Sequence, residues 1–210
     1  MDLACEKQQG VSKMQRLKGV IPAVPTPLLQ NEDVDTDGLR KLLDMVVEEG
    51  ATGVFVLGSM GEGTALLDDQ RLLVAKTAVR HVNGAVPVLV SISEVSTRRT
   101  QVLGLRMQDI GADYLVSTGP FYYKFPDKRS IVDFFASLSE CLSTPIVFYH
   151  QPNLTGSVFD ANAIEAVVNL PNVAGLKDTS CNFSLVAELL RRYPDKATRP
   201  FGLLQGDESL

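Results

Sequence analysis

Short apolar runs alternate along this chain with segments of helical period, and that alternation limits the available folds more than any other feature. The runs are Val20–Pro27, Gly53–Gly58, Pro87–Ser93, Tyr114–Pro120, Pro145–Tyr149, Val173–Lys177 and Phe201–Gln205. None has the every-second-residue polarity of a strand with one wet face, and β-branched residues are frequent. Each therefore reads as a strand buried on both faces. Between the first two, Asp37–Glu49 sets Leu39, Leu42, Leu43, Val46 and Val47 on one helical stripe behind a cap at Asp35 or Thr36. Gln70–Val82, Thr97–Ile110, Ser130–Cys141, Asp160–Asn169 and Leu185–Arg192 repeat the pattern. Several helices end at a glycine turn, as at Glu49-Gly50, Asn83-Gly84 and Ile110-Gly111. Successive strands start about 25 to 35 residues apart, the length of a right-handed βαβ crossover.

Regular βα alternation without hairpins requires a parallel sheet, either closed as a barrel or open and doubly wound. Polar and aromatic residues decide between them. Ser59, Tyr122, Tyr149, Lys177 and Asp207 follow the C-terminal ends of different strands, as in a barrel mouth, whereas an open sheet concentrates its site at one switch point. There is no G-x-G-x-x-G and no P-loop to favour the open form. The expected fold class is α/β, a (β/α)8 TIM barrel truncated after about strand 7, spanning residues 17–210 behind a polar tail at residues 1–16. Leu210 falls where a seventh βα loop begins, so the expectation is either a fragment of a longer chain or an incomplete barrel.

Composition removes several classes of function. Hydrophobic residues make up 45% and charged residues 21% of the 210, which is ordinary for a globular domain. With a net charge of −5 and cations interspersed with acids, no basic stripe exists for nucleic acid. No apolar run approaches the roughly 18 residues of a membrane span. Met1–Arg16 lacks the apolar stretch of a secretory signal, so the expected location is cytoplasmic. Cys5, Cys141 and Cys181 are odd in number and far apart, and His81 and His150 are the only histidines. That pattern fits reduced thiols and supplies no metal site.

Lys177 follows the apolar run Val173–Leu176. In a low-dielectric setting its neutral, nucleophilic amine would be favoured; alternatively the chain reaches solvent at a strand end or pairs with a carboxylate. Tyr149 ends the run Pro145–Phe148 and could relay protons at the same mouth, or serve as a core tyrosine with a satisfied hydroxyl. His150 should face the other way by strand alternation, which makes it structural. Gly58-Ser59-Met60-Gly61-Glu62-Gly63 offers small residues and backbone N–H groups for an anion, or is a flexible turn. Gly119–Lys124 adds aromatics that would be exposed unless they pack at a rim or against a partner.

Taken together, these motifs resemble the dihydrodipicolinate synthase/N-acetylneuraminate lyase family from Leu17 to Leu210. The similarity is carried by Gly19–Pro27, Gly58-Ser59-Met60-Gly61-Glu62, Pro120-Phe121-Tyr122-Tyr123, Phe148–Gly156 and Gly175-Leu176-Lys177-Asp178-Thr179, in the family's order and near its spacing. The resemblance implies a class I aldolase without metal or organic cofactor. Lys177 would form a Schiff base with a 2-oxo acid such as pyruvate, and Tyr149 would shuttle protons. Ser59 would link Tyr149 to a second tyrosine, Tyr122, donated by a neighbouring subunit of a homo-oligomer, dimer or tetramer. The amides of Ser59 and Met60 would hold the substrate carboxylate.

Two departures bear on substrate. Leu154 stands where the synthases of this family carry an arginine, which removes a bidentate grip on a second carboxylate. Leu154-Thr155-Gly156 and Lys177-Asp178-Thr179 look more like the sialic acid lyases and 2-keto-3-deoxy sugar acid aldolases. There Thr179, Asp207 or Glu208 would bind the substrate's hydroxyls, and Thr155 and Gly156 would also belong to the substrate-binding residues. Met60 replaces a hydroxyl residue common at its position, which removes a side-chain donor but keeps the amide. The leading expectation is a lyase cleaving a sugar-derived 2-oxo acid to pyruvate and an aldehyde. The alternatives are a 4-hydroxy-tetrahydrodipicolinate synthase-type condensation and a non-catalytic truncated paralogue.

Overall fold

The computed structural model describes residues 17–207. The tail at residues 1–16, Cys5 and the candidate ligand Glu208 lie outside the described residues. The chain forms two compact units, one made of Lys18–Ile92 with Val102–Val116, the other of Leu17, Ser93–Gln101 and the chain from Ser117 on.

The first unit holds α1 (Thr36–Glu48), β1 (Val54–Val56), α2 (Asp68–Val82), β2 (Val88–Ser91), most of α3 (Thr97–Ile110) and all but the last residue of β3 (Tyr114–Ser117). β1, β2 and β3 pair in chain order, all parallel. Every residue of these strands is buried, as unalternating apolar runs require. α1 begins where Asp35 accepts the N–H groups of Asp37 and Gly38, so Asp35, not Thr36, is the cap. Leu39 and Leu43 are fully buried on its inner face, with Leu42, Val46 and Val47 half-buried beside them.

The run Val20–Pro27 is not a regular strand. It meets β1 through one bridge, Ala23 to Phe55. Phe55 donates to Pro22 O (2.9 Å) and Val24 to Phe55 O (2.8 Å). Pro22, Pro25 and Pro27 have no N–H to give, so a continuous ladder cannot form. The described residues thus contain six strands, not the seven read from the sequence.

The second unit holds α4 (Lys128–Cys141), β4 (Ile146–His150), the short α5 (Pro152–Thr155), α6 (Ala161–Val168), β5 (Val173–Asp178), α7 (Phe183–Arg192) and β6 (Gly202–Gln205). β4, β5 and β6 again pair parallel in chain order. Between Ile146 and Val147 the pairing jumps from Val173 to Gly175, so Ala174 is an extra residue in β5. Its helical face is filled by rings: Phe135 of α4 lies 4.8 Å from Phe148 of β4, and Phe159 lies 6.2 Å from Phe148. α6 and α7 are clamped by Arg192, which bonds Glu165 (2.6 Å) and Glu188 (3.0 Å). The Tyr193 hydroxyl also donates to Glu165, at 2.8 Å.

Phe135 is fully buried, so Phe135→Ala should lower the unfolding free energy by roughly 3–5 kcal/mol through lost burial and a residual cavity, read from the urea midpoint. The hydrogen bond from Tyr193, with Arg192 beside it, lowers the Glu165 carboxyl pKa. A carboxylate depressed on folding stabilises above its unfolded value, about 4.3, and loses that contribution as pH falls through its folded value. Glu165→Gln should therefore lower the urea midpoint at pH 7 and flatten its fall below about pH 4.

Candidate active site

Register creates the site. In the β4–β5 ladder Tyr149 lies opposite Lys177, and His150 opposite Asp178. Partners across a ladder share a face, and successive residues alternate. Phe148 and His150 therefore point toward the helices, while Tyr149 and Lys177 point to the opposite face. There the Lys177 Nζ sits 4.3 Å from the centroid of the Tyr149 ring. Tyr149 is 3% exposed and Lys177 is half-buried. The ring face attracts the ammonium and fixes where the nitrogen rests.

The residues after the two strands complete the surroundings. Gln151 Nε2 approaches the Tyr149 hydroxyl at 3.5 Å, a long contact. Gln151 Oε1 and Thr179 Oγ1 are buried with no hydrogen-bond partner among the described residues. Buried polar atoms in native proteins are nearly always paired, so both can serve a bound molecule. Gly206 passes close to Lys177: a Cβ there would come 2.8 Å from Lys177 Cε and 2.2 Å from Thr179 Oγ1. A side chain here would displace Thr179 and Lys177, whereas the backbone angles do not call for glycine.

Asp207 accepts the Cys181 thiol at 2.6 Å. That hydrogen bond and the carboxylate's charge raise the thiol pKa, which makes Cys181 a poor nucleophile. Thr155 does not present its hydroxyl to a ligand: Oγ1 donates to Gln151 O at 3.1 Å and accepts from Ser157 N–H at 3.3 Å. Its role is to close the loop around α5, and Gly156 ends that helix in the left-handed region with φ 65°. Leu154 on α5 is exposed and brings no charge. Tyr122 is 73% exposed and makes an edge-to-face pair with Tyr123 at 4.8 Å. Both rings are thus left open at the surface.

Ser59 and Met60 lie in the first unit, both exposed, in the turn after β1. The turn is braced and not loose. Glu62 N–H donates to Ser59 O (3.2 Å), Gly63 N–H to Gly58 O (3.3 Å) and Thr26 Oγ1 to Gly61 O (2.7 Å). A Cβ on Gly63 would stand 2.1 Å from Leu57 O. Leu57 itself is fully buried with φ 61°, a conformation that costs a bulky residue about 1–3 kcal/mol. The flexible-turn reading of this segment therefore gives way to a fixed array of backbone groups.

Sequence reasoning assigned His150 a structural place and missed its partner. His150 Nδ1 and Asp178 Oδ1 are 2.7 Å apart, each side chain 1% exposed. Nothing in the local sequence announces this pair, because it depends on a register that joins residues 28 positions apart.

The chain matches the dihydrodipicolinate synthetase family over residues 16–210. Among curated proteins it is 29% identical over 194 residues to the 4-hydroxy-tetrahydrodipicolinate synthase of Salinibacter ruber, covering 92% of this chain and 63% of that one. The corresponding synthase of Neisseria gonorrhoeae is 30% identical over 192 residues, 91% of this chain and 64% of the other. Among solved structures, dihydrodipicolinate synthase from Acinetobacter baumannii, complexed with pyruvate, superposes with a TM-score of 0.84 at 25% identity. It is covered over 63% of its length by 90% of this chain. The enzyme from Bacteroides thetaiotaomicron gives 0.83 at 32% identity, covering 90% of this chain and 63% of that one. The fold class is thus the partial (β/α)8 barrel anticipated from the alternation of runs, and the chain spans less than two thirds of the length of these relatives. On the match across nearly all of its sequence, this chain belongs to the dihydrodipicolinate synthetase family.

Proposed function

We propose that the chain carries the Schiff-base core of a pyruvate-using aldolase, with Lys177 as the amine and Tyr149 as the proton relay. The observation that carries this reading is the placement of the Lys177 Nζ 4.3 Å from the Tyr149 ring centroid on the face away from the helices. The relative solved with pyruvate supports the choice of 2-oxo acid.

In the proposed reaction the free amine of Lys177 attacks the ketone carbon of pyruvate. Tyr149 passes a proton to the resulting carbinolamine oxygen and water departs. Loss of a C3 proton from the iminium then gives an enamine that supplies the electron pair of a new carbon–carbon bond to an aldehyde. In the reverse direction the iminium of the longer 2-oxo acid accepts that pair as the bond breaks. The braced turn at Gly58–Gly63 would hold the carboxylate on the amides of Ser59 and Met60. Ser59 would relay between Tyr149 and a Tyr122 supplied by a second copy in a dimer or tetramer. Thr179 Oγ1, buried and unpartnered, is the proposed contact for a substrate hydroxyl, with Asp207 beside it.

Leu154 favours an aldehyde without a second carboxylate, a sugar-derived one, because no guanidinium stands on α5 to clamp it. The names of the relatives favour the other reading, a condensation of pyruvate with an aldehyde as in 4-hydroxy-tetrahydrodipicolinate synthases. No helix among the described residues is long and apolar enough to cross a membrane.

Borohydride reduction in the presence of pyruvate should add a pyruvate-derived mass to the peptide bearing Lys177, and Lys177→Ala should remove it; an unlabelled folded wild-type protein defeats the proposal. Consumption of pyruvate with aspartate semialdehyde, against release of pyruvate from a sialic or 2-keto-3-deoxy acid, separates the two acceptor readings. Gly206→Ala should slow labelling by about tenfold or more, since displacement of a reacting group by about 1 Å costs up to about a hundredfold. Its melting temperature should change little by comparison.

A further inference from the structure

We infer that the buried pair His150–Asp178 is a positioning device that holds β4 and β5 in the one register that puts Lys177 against Tyr149. The kinetic consequence rests on the Schiff-base reading given above; the structural claim does not.

The argument begins at the extra residue in β5. Ile146 pairs with Val173 and Val147 with Gly175, so Ala174 is bulged out. Continued from Ile146–Val173 without the bulge, the ladder would set Tyr149 opposite Leu176 and His150 opposite Lys177. Because side chains alternate, that slip would send Lys177 to the face opposite Tyr149. The start of the strands therefore does not dictate the register at their ends. Interactions beyond the bulge hold the register there, and the buried His150–Asp178 pair is the directional one among them.

His150 and Asp178 are the residues immediately after Tyr149 and Lys177, and they can meet only in the bulged register. Their polar atoms are engaged throughout. With His150 Nε2 accepting the Phe159 N–H at 3.4 Å, the ring carries its proton on Nδ1 and donates it to Asp178 Oδ1 at 2.7 Å. Asp178 Oδ2 accepts the Ser180 hydroxyl at 2.9 Å. The backbone adds Thr179 N–H to His150 O (2.9 Å) and Gly206 N–H to Asp178 O (2.8 Å). The imidazole lies between Phe148 and Phe159, with centroids at 6.0 and 5.8 Å. One network thus ties the ends of β4, β5 and β6, the strand ends that present Tyr149, Lys177 and Gly206.

An ionisable pair buried this deeply is not the most stabilising filling for its space, since well-packed apolar side chains of equal volume often do as well or better. Its particular property is directional. In a slipped register the two groups would lie on opposite faces, leaving the His150 imidazole without its carboxylate, which disfavours that alternative.

The test uses the full chain with Lys and Tyr selectively labelled for NMR. Wild type should show a cross-relaxation peak between the Lys177 ε-methylene and the Tyr149 ring. The apolar double variant His150→Phe/Asp178→Leu should fold, by circular dichroism and melting, yet lose that peak, while Asp178→Asn, which keeps the acceptor, should retain it. Labelling by pyruvate and borohydride at saturating pyruvate should slow by about tenfold or more in the double variant, with the half-saturating pyruvate concentration little changed. A folded double variant that keeps the peak overturns the inference, and so does one that fails to fold, since the pair would then serve stability. Absence of labelling in wild type would refute the Schiff-base reading alone, because the cross-relaxation result still decides the register.

Discussion

The β4–β5 ladder carries one residue more on one side than on the other, and the chemistry of the site depends on where that residue is absorbed. Ala174 takes up the difference near the start of the pairing. From there to the strand ends the faces alternate: Phe148 meets Leu176 toward the helices, Tyr149 meets Lys177 away from them, and His150 meets Asp178 toward them again. Apolar packing, the pair proposed to react and the buried His–Asp pair are thus separated by nothing more than the alternation of the pleat. Moving the bulge past Tyr149 would mix the three.

Much of this was legible in the chain. The runs and stripes located six strands and six helices to within a few residues, because fully buried parallel strands and amphipathic helices leave strong periodic signals. The exceptions have identifiable causes. Val20–Pro27 has the composition of a strand but too few N–H donors to complete a ladder. α5 is four residues long, too short for any period to show. The left-handed Leu57 is invisible because residue type normally argues against that conformation. Thr155 lay in a suggestive motif, yet its hydroxyl is consumed by neighbouring backbone. Lys177 and Tyr149 could be singled out by type and position, whereas the partnership of His150 with Asp178 required three-dimensional register.

The two units solve different problems. In the second, the side chains proposed to react are delivered by strand ends, beside a buried polar network. In the first, the turn after β1 offers backbone, and its shape is held by close glycine contacts and by one strained leucine. Strain of this kind persists only where surrounding packing over-determines the conformation, and Leu57 is surrounded by such packing, being 1% exposed. Fixed backbone dipoles need no rearrangement when charge arrives, which suits an anion site better than mobile side chains do.

The proline-rich segment ahead of α1 has a consequence in concentrated solution. A strand margin is a template on which other chains can add and grow into fibrils. Pro22, Pro25 and Pro27 deprive three of the eight residues Val20–Pro27 of the donor such growth would need. The same prolines that interrupt the ladder to β1 therefore make this margin a poor seed for aggregation.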